Sequence, residues 1–178
     1  MTFIAESKVS SAACARYYAA GDNITITAGY IIKPQSSTTW GSSANWTYNS
    51  STGLFSLSSS HIYLIEADLY SGRLQPGPPE RGSVTSMITD SAGTEITDSC
   101  RGLGIFLSCQ YYYNYGQKVA DQTTFAIIDG SSISSFYWKV QAIDLQSSGT
   151  IKMNHTSGSG GTTYGRSDSR LIIREYPA

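Results

Sequence analysis

The hydrophobic and polar positions of this chain form short alternating runs, separated by clusters of turn-forming residues. The runs are rich in Ile, Val, Tyr, Phe and Thr, and Gly, Ser, Asn and Pro stand between them. In Phe136–Ala142, for example, positions 136, 138 and 140 are apolar and would share one face of a strand, with Lys139 and Gln141 on the other. Short runs of this kind are typical of an all-β sandwich or barrel. The clear runs are Ile24–Ile32, Thr38–Tyr48, Leu54–Leu57, His61–Tyr70, Ser83–Asp90, Gly104–Tyr113, Thr123–Asp129, Phe136–Leu145, Thr150–Asn154 and Arg170–Tyr176.

Three segments depart from this pattern. Residues Ala5–Ala20 are rich in alanine and have roughly helical apolar spacing, which predicts a short helix or, equally, an extended arm. Residues Leu74–Gly82 hold three prolines and two glycines, and Asn154–Asp168 is mainly Gly, Ser and Thr, so both are predicted as loops. The chain is therefore divided into an N-terminal arm, residues 1–21, and one β domain, residues 22–178.

Composition narrows the classes of function. The 178 residues suit one domain, and only 14% of them are charged, against about 25% in ordinary soluble domains. Serine and threonine, 29 and 17 residues, fill the difference. A net charge of −1 provides no basic surface for nucleic acid. No stretch approaches the roughly 20 apolar residues of a membrane span, and residues 1–21 lack the apolar centre of a signal peptide.

Candidate catalytic and metal-binding residues are sparse. His61 and His155 lie in no catalytic motif, and three scattered cysteines form no metal-binding pair. Glu66 and Asp68 lie on one face of a predicted strand, where an unpaired buried acid would be costly. We expect a partner from another copy of the chain, a catalytic acid being the alternative. The sequence thus predicts neither an enzyme nor a metal or cofactor site.

Aromatic residues offer two interpretations. The tyrosines of Tyr111–Tyr115 and the group formed by Trp40, Trp46 and Tyr48 could pack in the core or between subunits, as strand aromatics commonly do. The same residues could form a stacking platform for a sugar. Packing is the preferred interpretation, and contact with a host glycan stays open.

The stretch WTYNSSTGLFSLSSSHIYLIEADLYSG carries a recognisable pattern. It resembles the segment of C1q-like and tumour-necrosis-factor-like jelly rolls in which an aromatic precedes Asn-x-x-x-Gly-x-Phe and a later Tyr-x-Ile. The residues that match in order and spacing are Asn49, Gly53, Phe55, Tyr63, Ile65 and Ala67. More weakly, Phe136–Ala142 and the terminal SRLIIREYP are similar to late strands of that family, with Lys139 where an acid is usual.

The resemblance implies a ten-stranded jelly-roll β-sandwich that assembles as a homotrimer. Strand residues that point away from the core would line the trimer axis, and Glu66 would find a charge partner in Lys139 or Arg174. The interface residues expected on this basis are Leu64, Glu66, Lys139, Gln141, Ile172 and Arg174.

Trimers of this kind occur among the virion proteins of tailed phages. Because the domain is expected to begin within about 25 residues of Met1, the resemblance favours a non-enzymatic capsid decoration (cement) protein on the outer surface of the virion, bound to the major capsid protein. Its arm would provide the anchor, through Phe3, Ile4, Val9, Arg16 and Tyr17. The alternatives are a phage fibre or tip protein that binds a host glycan or receptor, a secreted ligand of the same fold, and a carbohydrate-active enzyme.

Overall fold

The computed structural model describes residues 13–19, 24–41, 44–74, 82–96, 100–101, 104–106, 118–145, 150–154 and 169–178. These residues form strands and turns but no helix, and thus contain no helix that could cross a membrane. The strands are β1 (Ala13–Ala19), β2 (Ile24–Ile26), β3 (Pro34–Gly41), β4 (Trp46–Asn49), β5 (Leu54–Leu57), β6 (His61–Leu74), β7 (Gly82–Asp90), β8 (Cys100–Arg101), β9 (Gly104–Phe106), β10 (Lys118–Asp129), β11 (Ser135–Leu145), β12 (Thr150–Met153) and β13 (Arg170–Pro177).

Two antiparallel sheets form a β-sandwich, so the predicted all-β class is confirmed. In the eight-stranded sheet, β6 pairs with β10 along one edge, and β8 lies beyond β10. Along the other edge, β6 pairs first with β13 and then with β12, which lie end to end. Beyond them follow β1 and β2, and then β3. The five-stranded sheet has the order β4-β5-β11-β7-β9.

Alternate residues of the central strands build the core. Positions 63, 65, 67 and 69 of β6 are fully buried, and from the five-stranded sheet Phe136, Trp138 and Val140 of β11 are buried as well. The alternation predicted for Phe136–Ala142 is therefore confirmed. Each large apolar side chain removed from water stabilises the fold by about 1.5–3 kcal/mol, so these rows hold the two sheets together.

Aromatic rings fill one end of the core. Phe55 stacks on Phe136 with ring centroids 4.8 Å apart, and Tyr17 meets Phe55 edge to face at 5.0 Å. The indole nitrogen of Trp46 donates a hydrogen bond to the Tyr17 hydroxyl at 2.8 Å, and Tyr48 packs 4.5 Å from Phe55. Core packing is therefore the role of Trp46 and Tyr48, whereas Trp40 is exposed.

The predicted N-terminal helix is wrong for residues 13–19. These residues form β1, which pairs with β13 on one edge and β3 on the other, and Ala13, Ala15, Tyr17 and Ala19 are buried. Pairing on both edges and a period of two outweigh the helix preference of alanine. Part of the segment predicted as an arm is thus a core strand, while residues 1–12 lie outside the described residues.

The Asn49–Gly53 turn explains part of the sequence pattern. The Asn49 Oδ1 accepts hydrogen bonds from the backbone nitrogens of Ser51 and Thr52 at 3.0 and 3.2 Å. Gly53 has a φ of +81°, and a Cβ at this position would lie 2.7 Å from the Ile31 side chain. Only glycine fits both requirements without strain. The spacing from Asn49 to Gly53 therefore fixes the β4–β5 hairpin.

Asn154 joins the two collinear strands to the rest of the sheet. Its backbone nitrogen donates to the Tyr70 carbonyl at 3.0 Å, and its Nδ2 donates to the Ala19 carbonyl at 2.8 Å. The backbone nitrogen of Ser169 donates to its Oδ1 at 2.7 Å. Asn154 is fully buried and has a φ of 52°, a conformation that asparagine tolerates better than most residues. The chain thus leaves β12 and enters β13 at one buried polar junction.

We expect Asn154→Ala to lower the free energy of unfolding by about 2–4 kcal/mol, because two buried backbone groups lose their partners and alanine is strained at positive φ. Asn154→Gly removes the same hydrogen bonds without the backbone strain, so it should be about 1 kcal/mol less harmful. Urea unfolding measures both, with the exposed Ser132→Ala as control. A value for Asn154→Ala within about 0.5 kcal/mol of wild type would contradict this role.

Alkaline pH should destabilise the fold through the buried tyrosines. Burial raises the pKa of Tyr17 and Tyr63, and it raises the pKa of Tyr48 from its ordinary 10.0 to about 12. The unfolded chain therefore loses these protons first, so the stability is fully present below pH 10 and is lost as the pH rises towards 12. Denaturant unfolding across this pH range should show that the free energy of unfolding falls less steeply with pH in Tyr48→Phe than in wild type. An equal slope in the two proteins would refute the assignment.

Candidate assembly interface

The outward-pointing residues of β10, β6, β13, β1 and β3 form one continuous surface, which we call the outer face. The strand register aligns its residues in rows across the sheet, for example Ile127, Leu64, Arg174, Cys14 and Trp40. With strands about 4.8 Å apart, such a row is about 19 Å long. Trp40 and Ile127, at the two ends of this row, are exposed, and the three residues between them are half-buried.

Large apolar side chains are exposed on the outer face. In the described part of the chain four such side chains are exposed, and all four point from this surface: Trp40 (48%), Ile62 (37%), Phe125 (42%) and Ile127 (57%). Strand β10 directs Phe125 and Ile127 outward, while positions 124, 126 and 128, a threonine, an alanine and an isoleucine, are buried. Large apolar side chains exposed together on one sheet face are typical of a surface that contacts another protein.

Ion pairs run down the middle of the outer face. Arg174 donates to the Glu66 carboxylate at 3.0 Å, and Arg170 donates to Asp68 at 2.6 Å, where the Thr123 hydroxyl also donates at 2.7 Å. Both acids were expected to pair with a residue from another copy. In the structure they pair with arginines of the same chain. The reason is topological, since β13 is the neighbour of β6 and its register places Arg170 opposite Asp68.

Arg16 forms a separate feature at the β1–β3 margin of the outer face. Its guanidinium lies 5.7 Å from the centroid of the Trp40 ring, and its Nη1 donates to the Tyr18 hydroxyl at 3.4 Å. Its Nε is buried and finds no hydrogen-bond partner among the described residues. Neither described acid in the middle of the face pairs with Arg16, because both are bonded to other arginines.

The structure brings four of the six predicted interface residues together. Leu64, Glu66, Ile172 and Arg174 lie on the outer face, in two adjacent rows. Lys139 and Gln141 lie in β11 of the five-stranded sheet, where Lys139 points to the opposite side of the sandwich and Gln141 lies at a break in the register with β7. Within one chain Glu66 therefore pairs with Arg174 and not with Lys139, whose ammonium lies 5.2 Å from the centroid of the Tyr137 ring.

The predicted anchor residues have different positions. Arg16 lies on the outer face, whereas Tyr17 is buried in the core. Phe3, Ile4 and Val9 lie outside the described residues. Sequence reasoning did not single out Phe125, Ile127 or Arg170. The sequence shows how these residues alternate along their strands, but it does not show which strands lie side by side.

His61 belongs to a buried polar cluster at one end of the sandwich. The fully buried Glu175 carboxylate accepts hydrogen bonds from the backbone nitrogen and the Nδ2 of Asn45, both at 2.7 Å. His61 Nε2 lies 3.4 Å from the same carboxylate. These contacts join the start of β6, the end of β13 and the residue before β4. In the described ranges, no three His, Cys, Asp or Glu side chains are grouped as metal ligands.

Comparison with known proteins yields no family assignment. A scan against models of protein families gave no match to this chain, and neither did a search of curated proteins.

The two acidic sites should respond differently to mutation. Glu66→Gln is expected to change the free energy of unfolding by less than about 1 kcal/mol, because the pair with Arg174 is partly hydrated. Glu175→Ala should cost about 3 kcal/mol or more, since the Asn45 donors lose a buried acceptor. Denaturant unfolding of both variants measures the two free-energy losses. Equal losses would contradict the expectation that the Glu66–Arg174 pair contributes little to stability.

Proposed function

We propose that this chain is a non-enzymatic structural protein with a C1q/tumour-necrosis-factor-like jelly-roll domain, which assembles as a homotrimer through the outer face and decorates a capsid. The observation that carries the assembly step is the exposure of Phe125, Ile127, Ile62 and Trp40 on a single sheet face. The role on a capsid is supported by the sequence resemblance and by the low charge and high Ser, Thr, Gly and Tyr content.

The strand connectivity supports the jelly-roll part of the proposal. Strands β1 and β2 lie end to end, as do β12 and β13, so each pair corresponds to one long strand interrupted by a loop. Counted in this way, and without the two-residue β8, each sheet has five strands. The first and last long strands are neighbours, and the chain crosses between the sheets from β5 to β6 and from β6 to β7.

The chemistry of the outer face supports self-assembly over binding of a small ligand. The exposed apolar residues are spread over about 19 Å, with ion pairs already satisfied between them. A row of this length suits a flat protein contact with an apolar core, and the internal ion pairs add no unpaired charge to its centre. A second copy of the same chain provides a surface with the same apolar residues and the same internally paired charges.

The native mass tests the assembly. Light scattering should give three copies of the 19.2 kDa chain, about 58 kDa, and Phe125→Ser with Ile127→Ser should shift the mass towards one copy. Tyr137→Ser, on the outward side of β11, is the matched control and should leave the trimer intact. A wild-type monomer at all concentrations would refute trimeric assembly. A trimer that survives the double substitution would refute the outer face as its interface.

Location in the particle tests the proposed role. Purified virions from the source of this sequence should contain the protein on the outer capsid surface in stoichiometric amounts, as seen by mass spectrometry and electron cryomicroscopy. Density at a fibre or tail tip would support the alternative, a host-binding tip protein. Absence from the particle would refute both.

A further inference from the structure

The charges of the outer face balance except at its two margins. Among the side chains that the structure describes there, Arg170 and Arg174 are paired with acids within the chain. This leaves one cation, Arg16 on β1, and one anion, Asp129 at the end of β10. Two strands, β6 and β13, lie between β10 and β1, so these two groups cannot pair within one copy.

The β10 margin combines an acid with apolar residues. Asp129 is exposed and lies on the same side of β10 as Ile127 and Phe125. Its Oδ1 accepts hydrogen bonds from the nitrogen and hydroxyl of Ser131 at 2.8 and 2.7 Å. These bonds lower the pKa of the Asp129 carboxyl, which keeps it ionised. Its Oδ2 accepts no hydrogen bond from a described residue.

The β1–β3 margin has the complementary properties. Trp40 presents an exposed ring, and the Arg16 guanidinium beside it has no described carboxylate partner. The Nε of Arg16 is buried, so a carboxylate from another copy would meet the terminal nitrogens of the guanidinium, of which Nη1 donates to the Tyr18 hydroxyl at a long 3.4 Å. An apolar surface that carries one carboxylate would cover the Trp40 ring and pair with the Arg16 guanidinium.

We propose that in the assembly the β10 margin of one copy packs on the β1–β3 margin of the next, with Phe125 and Ile127 against Trp40 and Asp129 paired with Arg16. This inference rests on the proposed self-assembly and adds the two surfaces that meet. Contact between two different surfaces is heterologous, and it forms a closed ring when the rotation between copies closes. The charge pair would set the alignment of the two apolar patches.

Charge reversal tests the pairing. Asp129→Arg and Arg16→Glu should each weaken the association at least about tenfold, because each places like charges in contact. The double variant should recover to within about threefold of wild type, since the reversed pair is again attractive. Asp90→Arg is the matched control, because Asp90 also caps a turn, accepting a hydrogen bond from the Thr94 nitrogen at 2.8 Å, but belongs to the five-stranded sheet.

Mixing the two single variants separates contact between copies from an effect within one copy. Chains with Asp129→Arg and chains with Arg16→Glu should associate with each other more tightly than either does alone. Circular dichroism of each variant checks that it is folded, and concentration-dependent sedimentation gives the association constants. If wild type forms trimers but neither the double variant nor the mixture recovers, this pairing is wrong and the proposed trimer stands. If wild type is monomeric throughout, the proposed assembly fails as well.

Discussion

The register of β6 is the constraint on which the eight-stranded sheet depends. This strand pairs along its length with β10 on one side and with β13 and β12 on the other, so its alternation sets the faces of all three. A slip of one residue would bring Glu66 and Asp68 into the core, at a prohibitive cost. On the outer face, the ion pairs with Arg174 and Arg170 hold the strand in this register. On the core side, the Tyr63 hydroxyl does the same by donating to the Asn45 carbonyl at 2.9 Å.

The character of the outer face follows from what the core can accommodate. Opposite β10, the Ser86 and Thr124 hydroxyls form a buried hydrogen bond of 3.0 Å between the two sheets, so this part of the core is narrow. Thr124 and Ala126 fill the inward positions there, and the period of two then places Phe125 and Ile127 outside. The exposed apolar surface is therefore a consequence of how the core is packed.

The sequence predicts local features of this fold better than those that depend on strand neighbours. Alternation correctly identifies the β class and the buried face of β11, and the Asn49–Gly53 turn separates β4 from β5, whereas Gly72 lies within β6. It fails at β1, where alanine prefers a helix until two neighbouring strands are present. It cannot decide which face of β10 is buried, because both faces are apolar. For Glu66 the resemblance offered Arg174 or Lys139 and could not choose between them, and the Arg170 partner of Asp68 was missed because it comes from a strand about a hundred residues away.

The pattern behind the family resemblance consists of residues that build the fold. Asn49 and Gly53 form a hairpin turn, while Phe55, Tyr63 and Ile65 are buried. A pattern of this kind predicts architecture, and function has to be argued from residues outside it. In this chain those residues are the apolar and charged side chains of the outer face, none of which is among the six residues that match the family pattern in order and spacing. The fold and the proposed assembly therefore rest on two separate sets of residues. The argument that another copy packs on the outer face comes from its exposed side chains and does not depend on the family resemblance.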